Sequence, residues 1–225
     1  MIKIECVDIF GWEATVRGMR NPMNSWGKSD SFWSDGFYII GPDDLGLATK
    51  LANAGHDHGK FLRMLHVQMD ITAPLYWWKQ ADTYKVGVTT NSCSTMHKIH
   101  AKEFEVEDFS CEHLGVTIPA EKNNGKECYQ NLWPERMKGI IVALNIARSF
   151  YNRESDPKLK KDYWWQMIQL LPSSYNQKRT WDGNYAVLRA VYHARKNHKL
   201  DEWREFCRWV EGLPYAKELI VGEKG

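Results

Sequence analysis

The 225-residue sequence has no uninterrupted apolar run of about 18 residues, so it encodes no membrane-spanning helix. Its opening, MIKIECVDIFGWE, lacks the charged start, long apolar stretch and small-residue cleavage site of a secretory leader, and the expectation is a cytoplasmic protein. No CxxC pair occurs, which excludes a zinc ribbon. The five cysteines (Cys6, Cys93, Cys111, Cys128, Cys207) are odd in number and scattered, which argues against a disulfide framework. Neither GxGxxG nor GxxxxGK[ST] is present, so no Rossmann or Walker phosphate cradle is encoded. An excess of one charge is also missing. Thirty Lys and Arg oppose 28 Asp and Glu, which leaves no polybasic arm for a nucleic-acid polymer and no acidic tail. Internal repeats and low-complexity tracts are absent as well.

What is abundant is aromatic surface. Eleven Trp accompany 10 Tyr and 8 Phe, and such rings must enter a core, enter an interface or stack on a flat ligand. The hydrophobic fraction of 43% is that of a globular chain able to bury a core. Lys3 to Ile9 reads as a strand and Trp12 to Met19 as a helix stopped at Asn21-Pro22. Residues 21–36 read as a loop whose Trp26 and Trp33 pack on something. Asp43 or Asp44 caps a helix that ends at Gly55, and a short helix follows over Lys60 to Leu65. His66 to Ile71 alternates as a half-buried strand. Pro74 opens a helical stretch, LYWWKQADTYK, and residues 86–95 read as a strand. Residues 101–127 form an acidic, variable surface segment. From Pro134 the 3- and 4-residue spacing is helical, and further helices cover Lys158 to Leu171, Tyr185 to Asn197 and Asp201 to Glu211. The layout predicts an α+β fold, a single domain over residues 1–225 with a central sheet flanked by helices.

Several constellations carry chemistry and a plainer reading together. His97 and His100, with Cys111 and His113, have short ligand spacing, but no second matched pair completes a zinc site, and no metal is expected. Cys93 with His97 four residues on has the makings of an activated thiolate, against the commoner structural cysteine. Lys178, Arg179, Arg189, Arg195, Lys196 and Lys199 form the most basic stretch, suited to phosphate oxygens or to a solvated helix face. The pairs Trp77–Trp78 and Trp164–Trp165 cannot both point inward on a helix, so one ring of each is expected at an interface or on a ligand.

Read together, these pieces resemble the flavin-dependent thymidylate synthases. Residues 66–80, HVQMDITAPLYWWKQ, are similar to that family's strand, its apolar-Ala-Pro turn and the Arg-Gln that follows. His58 stands where the family has the His of Gly-His, and Gly18-Met19-Arg20 resembles its Ala-Ala-Arg. Leu171-Pro172, Trp181, Asn184 and Arg195 have the spacing of its Leu-Pro…Trp…Asn…Leu-Arg segment, and Trp203-Arg204-Glu205-Phe206-Cys207 resembles its Ile-Arg-Glu-Tyr-Ala. Residues 21–41 and 101–160 match in bulk pattern only.

The resemblance implies a homotetramer with FAD held against the base of dUMP between subunits, a folate as one-carbon donor and NADPH as reductant. No enzyme nucleophile is required, because the cofactor carries the chemistry. It implies that Arg195 faces the base edge as an electrostatic activator. Gln80 and Ser94 would bind the nucleotide, with Lys85 and Arg179 standing in at its phosphate. Asn184, His58, Tyr84 and Arg20 would lie at the flavin. The family's Arg-His-Arg reads Thr83-Tyr84-Lys85 here, and the Glu-x-Ala-Arg before Leu-Pro reads Trp165-Gln166-Met167-Ile168. Two phosphate-binding guanidiniums are therefore missing, worth about 10²–10⁴-fold in affinity if nothing compensates. The readings that follow are a divergent pyrimidine nucleotide methylase, a catalytically degenerate protein of the same fold that binds or sequesters a nucleotide, and a multimeric scaffold. The compact size suits a phage or mobile-element protein.

Overall fold

The computed structural model describes residues 1–115 and 132–222, which fall into two compact units. The larger holds Ile2–Thr72, Lys79–Asn91 and Arg179–Gly225; the smaller holds Met1, Ala73–Trp78 and Ser92–Lys178. The fold class is α+β, with a four-stranded sheet in the order β1 (Lys3–Phe10), β4 (His66–Pro74), β6 (Asn176–Asn184), β5 (Thr89–Ser92).

In the larger unit β1 runs antiparallel to β4, pairing Lys3 with Thr72 and Phe10 with His66. The register shifts between Glu5 and Asp8, and Cys6 takes φ +52 within that irregularity, as an extra residue in one strand requires. Along β4, Val67, Met69 and Ile71 are buried while Gln68 is exposed, which is the expected alternation. The chain leaves β1 through Gly11 at φ +97 and enters helix α1 (Trp12–Arg20). A Cβ on Gly11 would come to 2.2 Å from the Met64 carbonyl oxygen, so only glycine fits this crossing. Residues 21–36 are not one loop. They include two short 3₁₀ turns and the start of a hairpin, β2 (Phe32–Ser34) with β3 (Phe37–Ile39), turned through Asp35 and Gly36 at φ +48 and +82. Trp26 and Trp33 stay half-exposed; the Trp33 indole meets Tyr38 edge to face and donates to Glu13.

Helix α2 (Pro42–Asn53) has Gly41, not an aspartate, at its N-cap, and Gly55 follows its end at φ +102. Asp44 is instead fully buried and takes Arg20. Residues Gly59–Met64 form a 3₁₀ turn. Helices α7 (Tyr185–Arg195) and α8 (Asp201–Glu211) and a π turn, Lys217–Val221, complete the unit. Trp203, Phe206, Cys207 and Val210 on α8 recur at helical spacing and are all buried.

In the smaller unit, helix α5 (Leu132–Arg153) packs on α6 (Pro157–Leu170). Asp156 caps α6 by accepting from the amides of Lys158 and Leu159, with Pro157 in the first turn where no amide is missed. The core is built on Ile99, Phe104, Phe109, Met137, Ile141, Leu144, Ala147 and Met167. Two expectations are corrected here. Residues 101–115 are not merely surface, because Phe104 and Phe109 anchor this core; residues 116–127 of the acidic segment lie outside the described residues. Trp77 and Trp78 are both buried, at 2% and 1% exposure, rather than facing opposite ways. Both rings of their short helix α3 (Leu75–Ala81) are enclosed, while Lys79 is its exposed residue. The two indoles meet edge to face at 4.8 Å, and Trp78 donates to the Gln177 carbonyl at 2.9 Å. In the other pair Trp164 is half-buried and Trp165 is exposed, as the helical argument requires.

Candidate functional site

Asn184 ends β6 and caps α7. Its backbone is extended, and its side-chain oxygen accepts from the Val187 amide at 3.0 Å. Its Nδ2 lies beside Gly87, where φ is +75 and a Cβ would come within 3.2 Å of that nitrogen. The strand thus fixes where α7 begins, and the helix carries Arg195 to its last turn, where a cation is favoured by the backbone dipole.

Arg195 is half-buried and held on one edge. Its Nε donates to the Tyr84 hydroxyl at 2.7 Å and its Nη1 to Gln80 Oε1 at 3.3 Å. The guanidinium carbon lies 5.0 Å from the Trp203 ring and 5.4 Å from the Tyr84 ring, within cation–π range of both. Trp203 Nε1 donates to the same Gln80 oxygen at 3.0 Å. His198 stands 6.3 Å from the Trp203 ring; burial first, then the charges of Arg195, Arg204 and Lys199, push its pKa below the usual imidazole range.

A cleft of about 320 Å³ opens against the other face of α7, where Ala186 and Ala190 leave room. Asn53, His56, Arg63, Arg189 and His193 supply its polar lining. Arg189 is braced there, donating to the Leu219 carbonyl at 3.0 Å and to Asn53 Oδ1 at 2.9 Å.

The structure brings together Arg195, Gln80 and Tyr84 of the residues expected from sequence. Asn184 joins them through α7. Lys85 and His58 are exposed. Arg179 pairs with Asp82 at 2.8 Å, and its side chain is 14% exposed. Arg20 is buried against Asp44 at 2.5 Å. Ser94 lies in the smaller unit, where it caps α4 (Thr95–Lys98) by accepting from the His97 amide. Among the described residues, no group of three or more His, Cys, Asp or Glu side chains is placed to hold a metal. Trp203 was not expected at the site. Its one sequence signal is that a tryptophan on the inward face of a helix needs an acceptor for its N–H.

No family model matches the chain, and none of the curated proteins matches it. Solved structures do. The flavin-dependent thymidylate synthase ThyX from Helicobacter pylori, complexed with FAD and dUMP, superposes with a TM-score of 0.64 at 18% identity, over 97% of this chain and 97% of that one. The chain has the fold of the flavin-dependent thymidylate synthases. A UMP/dUMP methylase, PolB from Streptomyces cacaoi, bound with 5-Br dUMP, superposes with a TM-score of 0.57 at 15% identity, over 94% of this chain and 88% of that one. The shared fold therefore spans the strand-and-helix framework that positions Arg195.

Proposed function

We propose that the chain is a divergent flavin-dependent enzyme that replaces the C5 hydrogen of a uracil nucleotide with a one-carbon unit. The observation that carries this reading is the Arg195 guanidinium, fixed on one edge by Tyr84 and Gln80 and capped by Trp203. A cation so held lies ready to polarise a pyrimidine carbonyl without reorganising. Gln80 hydrogen-bonds the same nucleotide. Of the cations expected at its phosphate, Lys85 is the exposed one.

FAD is the cofactor of this reading. The cleft along α7 suits a planar, acceptor-rich group. Small side chains make room for a ring, and Asn53, Arg63, Arg189 and the two histidines offer donors around it. Those residues would hold it, with Asn184, His58 and Tyr84 close in sequence to the same elements. When bound, a flavin supplies the electron and hydride chemistry that side chains do not. A folate and NADPH are the one-carbon donor and reductant, and the assembly is a homotetramer with the nucleotide between subunits in the cytoplasm.

A second reading has a specific observation in its favour. Arg20 and Arg179 are engaged with Asp44 and Asp82, and Thr83-Tyr84-Lys85 carries one cation where the resembled motif has two arginines. A protein that binds a nucleotide without turning it over fits that loss. The visible spectrum of the purified protein, with calorimetry against dUMP, tests both. Bound flavin and dUMP binding support the enzyme. Nucleotide binding without flavin, before or after reconstitution, supports the second reading. Absence of both overturns the two together.

A further inference from the structure

Gln80 Oε1 receives two donors, the Trp203 indole N–H at 3.0 Å and Arg195 Nη1 at 3.3 Å. An amide can be drawn either way round, and here the neighbours decide it. The opposite orientation would point NH₂ at an indole N–H and a guanidinium, neither of which accepts. With both lone pairs of Oε1 engaged, the remaining capacity of Gln80 is donation from Nε2. Arg195 has the same character, with Nε and Nη1 engaged and Nη2 left to donate. Tyr84 accepts from Arg195 through its oxygen, so its own hydrogen is left to donate. What Gln80 and Arg195 still offer is donors alone.

We propose that Trp203 is a positioning residue that makes the Arg195 site selective for a pyrimidine bearing a 4-oxo group over one bearing a 4-amino group. It acts through Gln80, which it locks with its N–H groups outward. This rests on the proposed nucleotide site. A uracil-type base presents an oxygen acceptor at C4, and cytosine presents an amino donor. Donors turned to C4 pair with the oxo oxygen and meet the amino group donor against donor, the arrangement that discriminates most strongly. The tryptophan is needed because Arg195 alone supplies one donor to Oε1. Trp203 is 1% exposed and so holds the second in a fixed place.

The test is calorimetry with UMP and CMP on the full chain. The wild-type protein is expected to prefer UMP by about tenfold or more. Trp203→Phe keeps a ring against Arg195 and removes the N–H, and the preference is expected to shrink to within about threefold while circular dichroism is unchanged. Gln80→Glu replaces the outward donor with an acceptor and is expected to abolish the UMP preference. A folded Trp203→Phe protein with the wild-type ratio overturns the inference. If Trp203→Phe does not fold, Gln80→Glu decides, and a retained UMP preference overturns it. Equal binding of UMP and CMP by the wild type overturns the inference and leaves nucleotide binding standing. Binding of neither overturns the proposed function and the inference with it.

Discussion

Arg195 reaches across 111 residues of sequence to Tyr84, its Nε donating to the phenolic oxygen at 2.7 Å. The bond sets the guanidinium plane, and the ring beneath it supplies a second, weaker hold. Tyr84→Phe removes the first and keeps the second. A hydrogen bond to a charged group is worth about 1.5–3 kcal/mol when buried, and the half-exposed position reduces that. The expected outcome is a loss of dUMP affinity of about three- to tenfold by calorimetry, with little change in melting temperature.

Arg20 and Asp44 make a different kind of pair. Asp44 is fully buried, and its two oxygens accept from Arg20, Ser29 and Ser31. Asp44→Asn leaves a buried guanidinium without its counter-charge, and breaking such a pair costs about 3–5 kcal/mol. Chemical denaturation should show a loss of that size with no change in fold by circular dichroism.

The same carboxylate makes a pH prediction. Burial pushes the Asp44 pKa up, but hydrogen bonds from Ser29, Ser31 and Arg20 and the Arg20 charge outweigh it and hold it below the usual range. On unfolding the group regains its ordinary affinity for a proton, so acid favours the unfolded chain. The stabilisation is complete above the ordinary carboxylate value and drains as pH falls through the lowered one. Unfolding free energy measured from neutral pH downward should fall in that window in the wild type and fall less in Asp44→Asn.

Much of this was legible from sequence and some was not. Strand β4 announced itself because one face is buried and the other wet, which writes a two-residue period into HVQMDI. Strand β6, NQKRTWDGN, hid because its inward positions include Gln177 and Gly183, neither of which reads as apolar. Gln177 can be buried because its Nε2 finds the Cys93 carbonyl at 2.9 Å, a partner 84 residues away. The site divides the same way. The resemblance singles out Gln80, Tyr84 and Arg195, and the structure places them in hydrogen-bond contact. That Arg20 and Arg179 are engaged with carboxylates 24 and 97 residues distant has no local signature at all.

Gly11 tests the crossing from β1 to α1. Gly11→Ala forces a side chain into φ +97 and into contact with the Met64 carbonyl. Backbone atoms cannot swing aside, so a loss of at least about 2 kcal/mol is expected. A thermal melt within error of the wild type would refute this account of the turn.

The cysteines should separate by reagent. Cys6 and Cys93 are exposed. Cys207 is buried, and burial first, with the Glu211 charge second, pushes its thiol up to about 11. Timed alkylation read by mass spectrometry should label Cys6 and Cys93 early and Cys207 only on unfolding.

The doubly used oxygen of Gln80 has a consequence for how the sequence can change. Trp203, Gln80 and Arg195 share one acceptor, so the worth of each depends on the others being in place. Their substitutions should be strongly non-additive. A drift at position 203 alters what is tolerated at 80 and 195 before any of them touches a ligand. Homologues would then exchange these residues as a set rather than singly, and the history of the site would be read in correlated steps.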